Sequence, residues 1–102
     1  MVDEFARALR LMRRRDPRLA EEGFQRLRAI AADHVDRLAD EFRREPDHDL
    51  RCRLLELIGE ARSPRAFDLL VGQLRGGDEA LRDCAERGLR LLDTAEARTV
   101  LG

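Results

Sequence analysis

The chain has no tryptophan and no tyrosine, and its only aromatic side chains are four phenylalanines. Rings on which nucleobases stack are therefore scarce, which weighs against a single-stranded nucleic-acid binder. Lysine is absent too: all 20 cationic residues are arginine, and they stand against 21 carboxylates for a net charge of -1. No global field draws the chain to phosphates or to an acidic membrane, so any electrostatic contact has to come from a local patch. Cysteine is limited to Cys52 and Cys84, with no CxxC pair and no histidine at ligand spacing, so neither a zinc site nor a disulfide scaffold is expected. No apolar run approaches the ~20 residues of a membrane-spanning helix. The opening Asp3, Glu4, Phe5 and Arg7 lack the charged-then-apolar order of a secretion signal. A cytoplasmic protein without membrane contact is the expectation.

What is present is helix-forming. Of the 102 residues 43% are hydrophobic and 40% charged, and the chain is rich in Ala, Leu, Glu and Arg, which favour helix over strand. The length allows one domain, spanning 1–102, with a single core. Within it a 31-residue period recurs: Asp16, Asp47 and Asp78 share a column, as do Leu19/Leu50/Leu81, Gly23/Leu54/Ala85, Leu27/Ile58/Leu89 and Ile30/Ala61/Leu92. Each Asp precedes an apolar pattern at helical spacing and reads as an N-cap, its carboxylate accepting from open amides of the first turn. These are the first, or A, helices of three units at 16–46, 47–77 and 78–102, the last with a short second helix. Second, or B, helices carry their own stripes, Val35, Leu38, Ala39, Phe42 and then Phe67, Leu70, Val71, Leu74. An opening helix within 1–15 repeats the B stripe as Phe5, Ala8, Leu9 and Met12. The second B helix arrives one residue late, and the extra residue falls in the loop around Arg62, Ser63 and Pro64. About seven helices and no strand are expected.

The segment Asp47-His48-Asp49-Leu50-Arg51, then Leu54, Leu57-Ile58-Gly59, Pro64-Arg65-Ala66-Phe67, Leu70 and Leu74, resembles the short HEAT-like repeat, including the type found in phycobilin lyase subunits. The third unit keeps Leu81-Arg82, Ala85, Leu89 and Ala97, while the first has Ala20 at the Arg position. The resemblance implies an all-α, α-α superhelix, a short HEAT-type α-solenoid in which hairpins bury their stripes against their neighbours. It also implies that Arg51 and Arg82 link adjacent repeats. Its functional content is broad, since such solenoids serve as scaffolds, enzyme subunits and nucleic-acid binders.

No nucleophile with a base and no metal set stands out. Ser63, Thr94 and Thr99 fall at loop or cap positions. His34 and His48 lie at opposite ends of one B helix, roughly 16–20 Å apart at ~1.5 Å per residue, too far to share a metal ion. No catalytic, cofactor-binding or metal residue is assigned, and the chain is read as a non-enzyme. Cys84 belongs to the buried stripe. Cys52 lies off it, and Arg51 and Arg53 beside it could lower its pKa and make it reactive, although an ordinary thiol is the simpler reading.

Two surface features are candidates. Arg13-Arg14-Arg15, Arg43-Arg44 and Arg75 end successive B helices and would line one rim, although arginine at a helix C-terminus also serves the helix dipole and needs no ligand. The outward B face reads Arg7/Arg37/Leu69, Arg10/Asp40/Gly72, Leu11/Glu41/Gln73 and Arg14/Arg44/Gly76. Arginines around a few apolar anchors are what protein interfaces enrich, and lone exposed leucines are also ordinary. Arg7, Arg10, Leu11, Arg14, Arg37, Glu41, Arg44, Leu69 and Gln73 are therefore the expected partner-binding residues of a protein-protein interaction module, a small adaptor or a cognate inhibitor. Nucleic-acid binding through the Arg rim is an alternative that the charge balance disfavours. A non-catalytic subunit of a lyase-type enzyme is another, resting on the resemblance alone. The last helix ends on Ala97, Val100 and Leu101 with nothing after them, which predicts a homodimer through that end with Leu91, Val100 and Leu101 contributing.

Overall fold

The structure, a computed structural model, describes residues 2–102. The chain runs through seven α-helices: α1 Glu4–Met12, α2 Pro17–Ile30, α3 Val35–Arg44, α4 His48–Glu60, α5 Phe67–Leu74, α6 Glu79–Leu92 and α7 Ala95–Leu101. Short 3-10 turns at Ala31–Asp33 and Pro64–Ala66 lead into α3 and α5, and the described residues contain no strand. The three recurrent aspartates cap α2, α4 and α6. Asp16 accepts from the Arg18 and Leu19 amides at 2.8 and 3.4 Å, Asp47 from Leu50 at 2.9 Å and Asp78 from Leu81 at 3.0 Å. Pro17, whose ring presets the helical φ, follows the first of them. Two further caps lie outside that column: Asp3 accepts from the Ala6 amide at 2.9 Å and Thr94 from the Ala97 amide at 3.1 Å. The extra residue between α4 and α5 is absorbed where Arg62 takes a left-handed φ of 52° and Ser63 caps the next turn through the Arg65 amide. α6 stops on Asp93, also left-handed, a conformation that Asp visits at less cost than most residues.

The helical stripes meet in one core. Phe5, Ala8, Leu9 and Met12 of α1 and Val35, Leu38, Ala39 and Phe42 of α3 are all buried, as are Leu27, Ile58 and Leu89 of the A-helix column. The outer columns are looser: Leu19 and Leu50 are half-buried where Leu81 is buried. α1 packs on α2, α3 on α4 and α5 on α6, and α4 lies against α6. Two glycine sites set how close the helices come. A Cβ on Gly23 would lie 2.3 Å from the Met12 nitrogen and 2.6 Å from the Ala8 oxygen, so α1 crosses α2 at backbone contact. Its column partners Leu54 and Ala85 carry side chains, both fully buried. The whole measures 41 × 26 × 21 Å.

Charge pairs join residues separated by about one repeat. Arg13 reaches Glu45 at 3.0 Å, Arg53 reaches Glu21 at 3.0 Å, Arg28 reaches Glu60 at 2.7 Å, Arg65 reaches Asp36 at 2.6 Å, and Arg37 reaches Asp3, while His48 and Asp78 share a hydrogen bond at 2.7 Å. Each exposed pair is worth ~0–1 kcal/mol. Three guanidinium groups also cover core phenylalanines: Arg37 over Phe5 at 4.1 Å, Arg53 over Phe24 at 4.0 Å and Arg51 over Phe42 at 4.3 Å. Arg51 and Arg82 thus reach the preceding unit without a carboxylate. Arg51 uses the Phe42 ring, and Arg82 donates to the Gly76 carbonyl oxygen at 3.1 Å.

Candidate functional site

Eight of the nine residues expected on the B face are distributed over three depressions. Arg7, Arg10, Leu11 and Arg14 of α1 line the first, about 280 Å³, together with Arg26 of α2. Positions 7, 10, 11 and 14 stand at i, i+3, i+4 and i+7, so one helical stripe carries them, and the Gly23 crossing brings Arg26, three residues on, to its edge. Arg37, Glu41 and Arg44 line the second, about 300 Å³, between α1 and α3, with Phe5 and Leu9 among its walls. Leu69 lines the third, about 290 Å³, between α3 and α5, near Val35, Ala39 and Ile58. Gln73 is half-buried and lines none of them. Sequence reasoning missed Arg26. A glycine in a core column was the available signal, since it marks a helix crossing and hence which α2 residues flank α1.

The second depression is neutralised from within. Arg37 forks onto Asp3 and covers Phe5, and Glu41 lies 3.4 Å from Arg44 and 3.8 Å from Arg13. The Arg37 hydrogen bond, followed by the Ala6 amide, holds the Asp3 carboxyl down at about 2, against an ordinary value of 3.8. The α1 stripe differs. Among the described residues Arg7, Arg10 and Arg14 form no ion pair, and neither do the adjoining Arg15 and Arg18. Of the nearby acids only Glu4, one turn before Arg7 on α1, forms no pair among the described residues; the others are already used. Asp3 holds Arg37, Asp16 caps α2, Glu22 pairs with Arg26 at 3.5 Å, and Glu21 accepts from Gln25 and Arg53. Those last two hydrogen bonds, Gln25 first, hold the Glu21 carboxyl below its usual range.

Half of the arginine rim is committed: Arg13, Arg43 and Arg44 have carboxylate partners, and Arg14, Arg15 and Arg75 have none among the described residues. Arg13 binds the buried Glu45, and Arg43 lies 3.5 Å from Asp40. Cys84 is buried as expected and receives Arg87 at 3.4 Å, while Cys52 is half-buried. Burial pushes both thiols up. The low pKa expected for Cys52 beside Arg51 and Arg53 does not arise, because burial first, then the neighbouring Cys84, Asp78 and Asp49, raise it by more than Arg51, which lies over the Phe42 ring, lowers it. At the C-terminal end Leu91 is 37% exposed, whereas Val100 and Leu101 are partly covered by the chain's own core. Ser63, Thr94 and Thr99 are spent on local backbone contacts. Among the described residues no three or more His, Cys, Asp or Glu side chains are grouped to hold a metal ion, and no helix is long and apolar enough to cross a membrane. Comparison of the chain with known protein families, with curated proteins and with solved structures finds no match.

Proposed function

We propose that the chain is a short HEAT-type α-solenoid that works as a protein-binding module, docking its partner on the face of α1, α3 and α5. The observation that carries this reading is the pair of grooves between successive B helices, α1/α3 and α3/α5, each with apolar groups among its walls and charges of both signs around them. That mixture suits a protein surface, which offers both apolar and charged groups, better than a uniform polyanion. The recurrent aspartate caps and the charge pairs spanning about one unit support the solenoid. A homodimer through the C-terminal end rests on Leu91, with Val100 and Leu101 at its margin. Sedimentation at micromolar concentration tests it: a dimer that Leu91→Glu dissociates is expected, and a monomeric wild type removes it.

Affinity capture from cells, after nuclease treatment, tests the module itself. A protein retained in stoichiometric amount is expected to be lost with Arg44→Glu combined with Leu69→Asp, and kept with Arg90→Glu on α6. Retention of nucleic acid alone, falling steeply with salt, overturns the protein reading, and a covalent coloured adduct on Cys52 moves it toward a lyase subunit.

A further inference from the structure

Through residue 30 the chain carries eight arginines and five carboxylates, so this segment is cationic while the remainder is acidic, with twelve arginines and sixteen carboxylates. The excess gathers on the outer stripe of α1. Arg7, Arg10 and Arg14 surround the half-exposed Leu11, and no carboxylate among the described residues pairs with any of the three. Elsewhere arginines find carboxylates, rings, a carbonyl or a thiol; apart from Arg15 and Arg18 beside the stripe, only Arg62 and Arg75 lack such contacts among the described residues. Unpaired like charges on one helix face repel, so an oppositely charged ligand removes a cost as well as adding contacts.

We propose that this stripe receives an acidic amphipathic helix of the protein partner, packed along α1 with carboxylates on Arg7, Arg10 and Arg14 and an apolar side chain on Leu11. The inference rests on the protein-binding reading and names the partner's chemistry. The spacing favours a helix. Arg7 and Arg14 are two turns apart, roughly 10 Å along the axis at ~1.5 Å per residue, and a second helix with acids at i, i+3 or i+4, and i+7 repeats that interval. At an interaxial distance of ~8–10 Å, guanidinium forks reach carboxylates while a central apolar pair closes against Leu11. A nucleic acid matches less well. The stripe spans few phosphates at ~3.4 Å per strand step, its centre is apolar, and a longer polyanion would run onto the carboxylate excess beyond residue 30. The depression between α1 and α2, about 280 Å³, is large enough for one partner side chain between Leu11 and Arg26.

The probe is a capped, alanine-based helical peptide of about 18 residues with Glu at i, i+3 and i+7 and Leu at i+4, titrated into the whole chain. Binding is expected, weaker at higher salt and weaker by about tenfold with Arg10→Glu, whose melting should stay at the wild-type value, or with Leu11→Ser, whose circular dichroism should stay helical. A peptide with Ser in place of Leu should bind several-fold less well. Equal binding of the two peptides, no binding of either, or tighter binding of a short DNA duplex overturns the proposal. If the captured partner depends on Arg44 and Leu69 but is indifferent to Arg10→Glu, this inference fails and the module stands. If no protein is retained by any form of the chain, the module itself fails.

Discussion

Gly59 of α4 and Gly88 of α6 face each other so closely that a Cβ added to either would lie 2.9 Å from the other's Cα. The two backbones meet there without intervening side chains, and neither neighbour is a flexible group that could swing aside. Gly88→Ala, which would also press on the Leu70 side chain, is expected to destabilise by about 1–3 kcal/mol in denaturant unfolding. Gly72→Ala is the control: an added Cβ meets nothing within 4 Å in the exposed α5 position, and the gain in helix propensity should stabilise by about 0.5–1 kcal/mol. Equal effects of the two substitutions would show that α4 and α6 do not cross at these glycines.

The repeated caps predict a graded response. Asp47→Ala removes the acceptor of the Leu50 amide and should cost about 1 kcal/mol in thermal or chemical unfolding. Asp78→Ala should cost more, because the same carboxylate also meets His48 at 2.7 Å. The Leu81 amide, ahead of His48, lowers the Asp78 pKa in the fold. Its contribution is therefore present above the ordinary carboxylate range and is lost as pH falls through the lowered folded value. Acid unfolding of Asp78→Asn should be the less steep of the two curves.

Asp3 gives a second pH signature. With a folded value of about 2 against 3.8, the link to Arg37 is fully present above about pH 4 and disappears as pH approaches 2. Carboxyl-carbon NMR should find Asp3 titrating at about 2 in the folded chain, against the ordinary 3.8. Arg37→Met should raise that titration while leaving it below 3.8, since the Ala6 amide still donates. For an exposed arginine on a helical face, Arg37→Glu would ordinarily leave melting unchanged. The ion pair and the Phe5 stacking that Arg37 provides make a lowered melting temperature the expectation instead.

Leu54 has no exposed surface and stands at the centre of α4. Leu54→Asp should leave the chain unfolded, because its charge would be buried with no partner, and Leu54→Ala should cost about 2–5 kcal/mol. Circular dichroism melts separate the two; an unchanged melt for Leu54→Asp would move the apolar stripe of α4 elsewhere.

The helices, the aspartate caps of α2, α4 and α6 and the buried stripes of α1 and α3 could be read from spacing, because a 31-residue column and a helical period are properties of the string itself; in α5 only Leu70 of the expected Phe67, Leu70, Val71 and Leu74 is buried, the other three being half-buried. The offset at Arg62 was legible for the same reason. What could not be read was which charges meet across units. Arg37, Glu41 and Arg44 looked like open surface on a helical wheel, and Asp3, from a segment 34 residues earlier, takes Arg37 out of use. Arg51 and Arg53 looked like neighbours of Cys52, yet their long side chains lie over Phe42 and Phe24. Rotamers of long cations are set by what the rest of the fold presents, so which stripe stays uncommitted, here that of α1, is decided by contacts between units and not by its own spacing.

Polar side-chain pairs tie α3 and α4 to neighbours on both sides, while among the described residues α7 has only the local Arg98–Asp93 ion pair and a single fully buried residue, Ala97. Solvent protons will therefore read the chain as a gradient. Amides around Leu54 to Ile58 should exchange only with global unfolding, and those from Glu96 onward should exchange by fraying at far lower free energy. The last helix is then a loosely latched end of a body whose clock runs slowest at its middle.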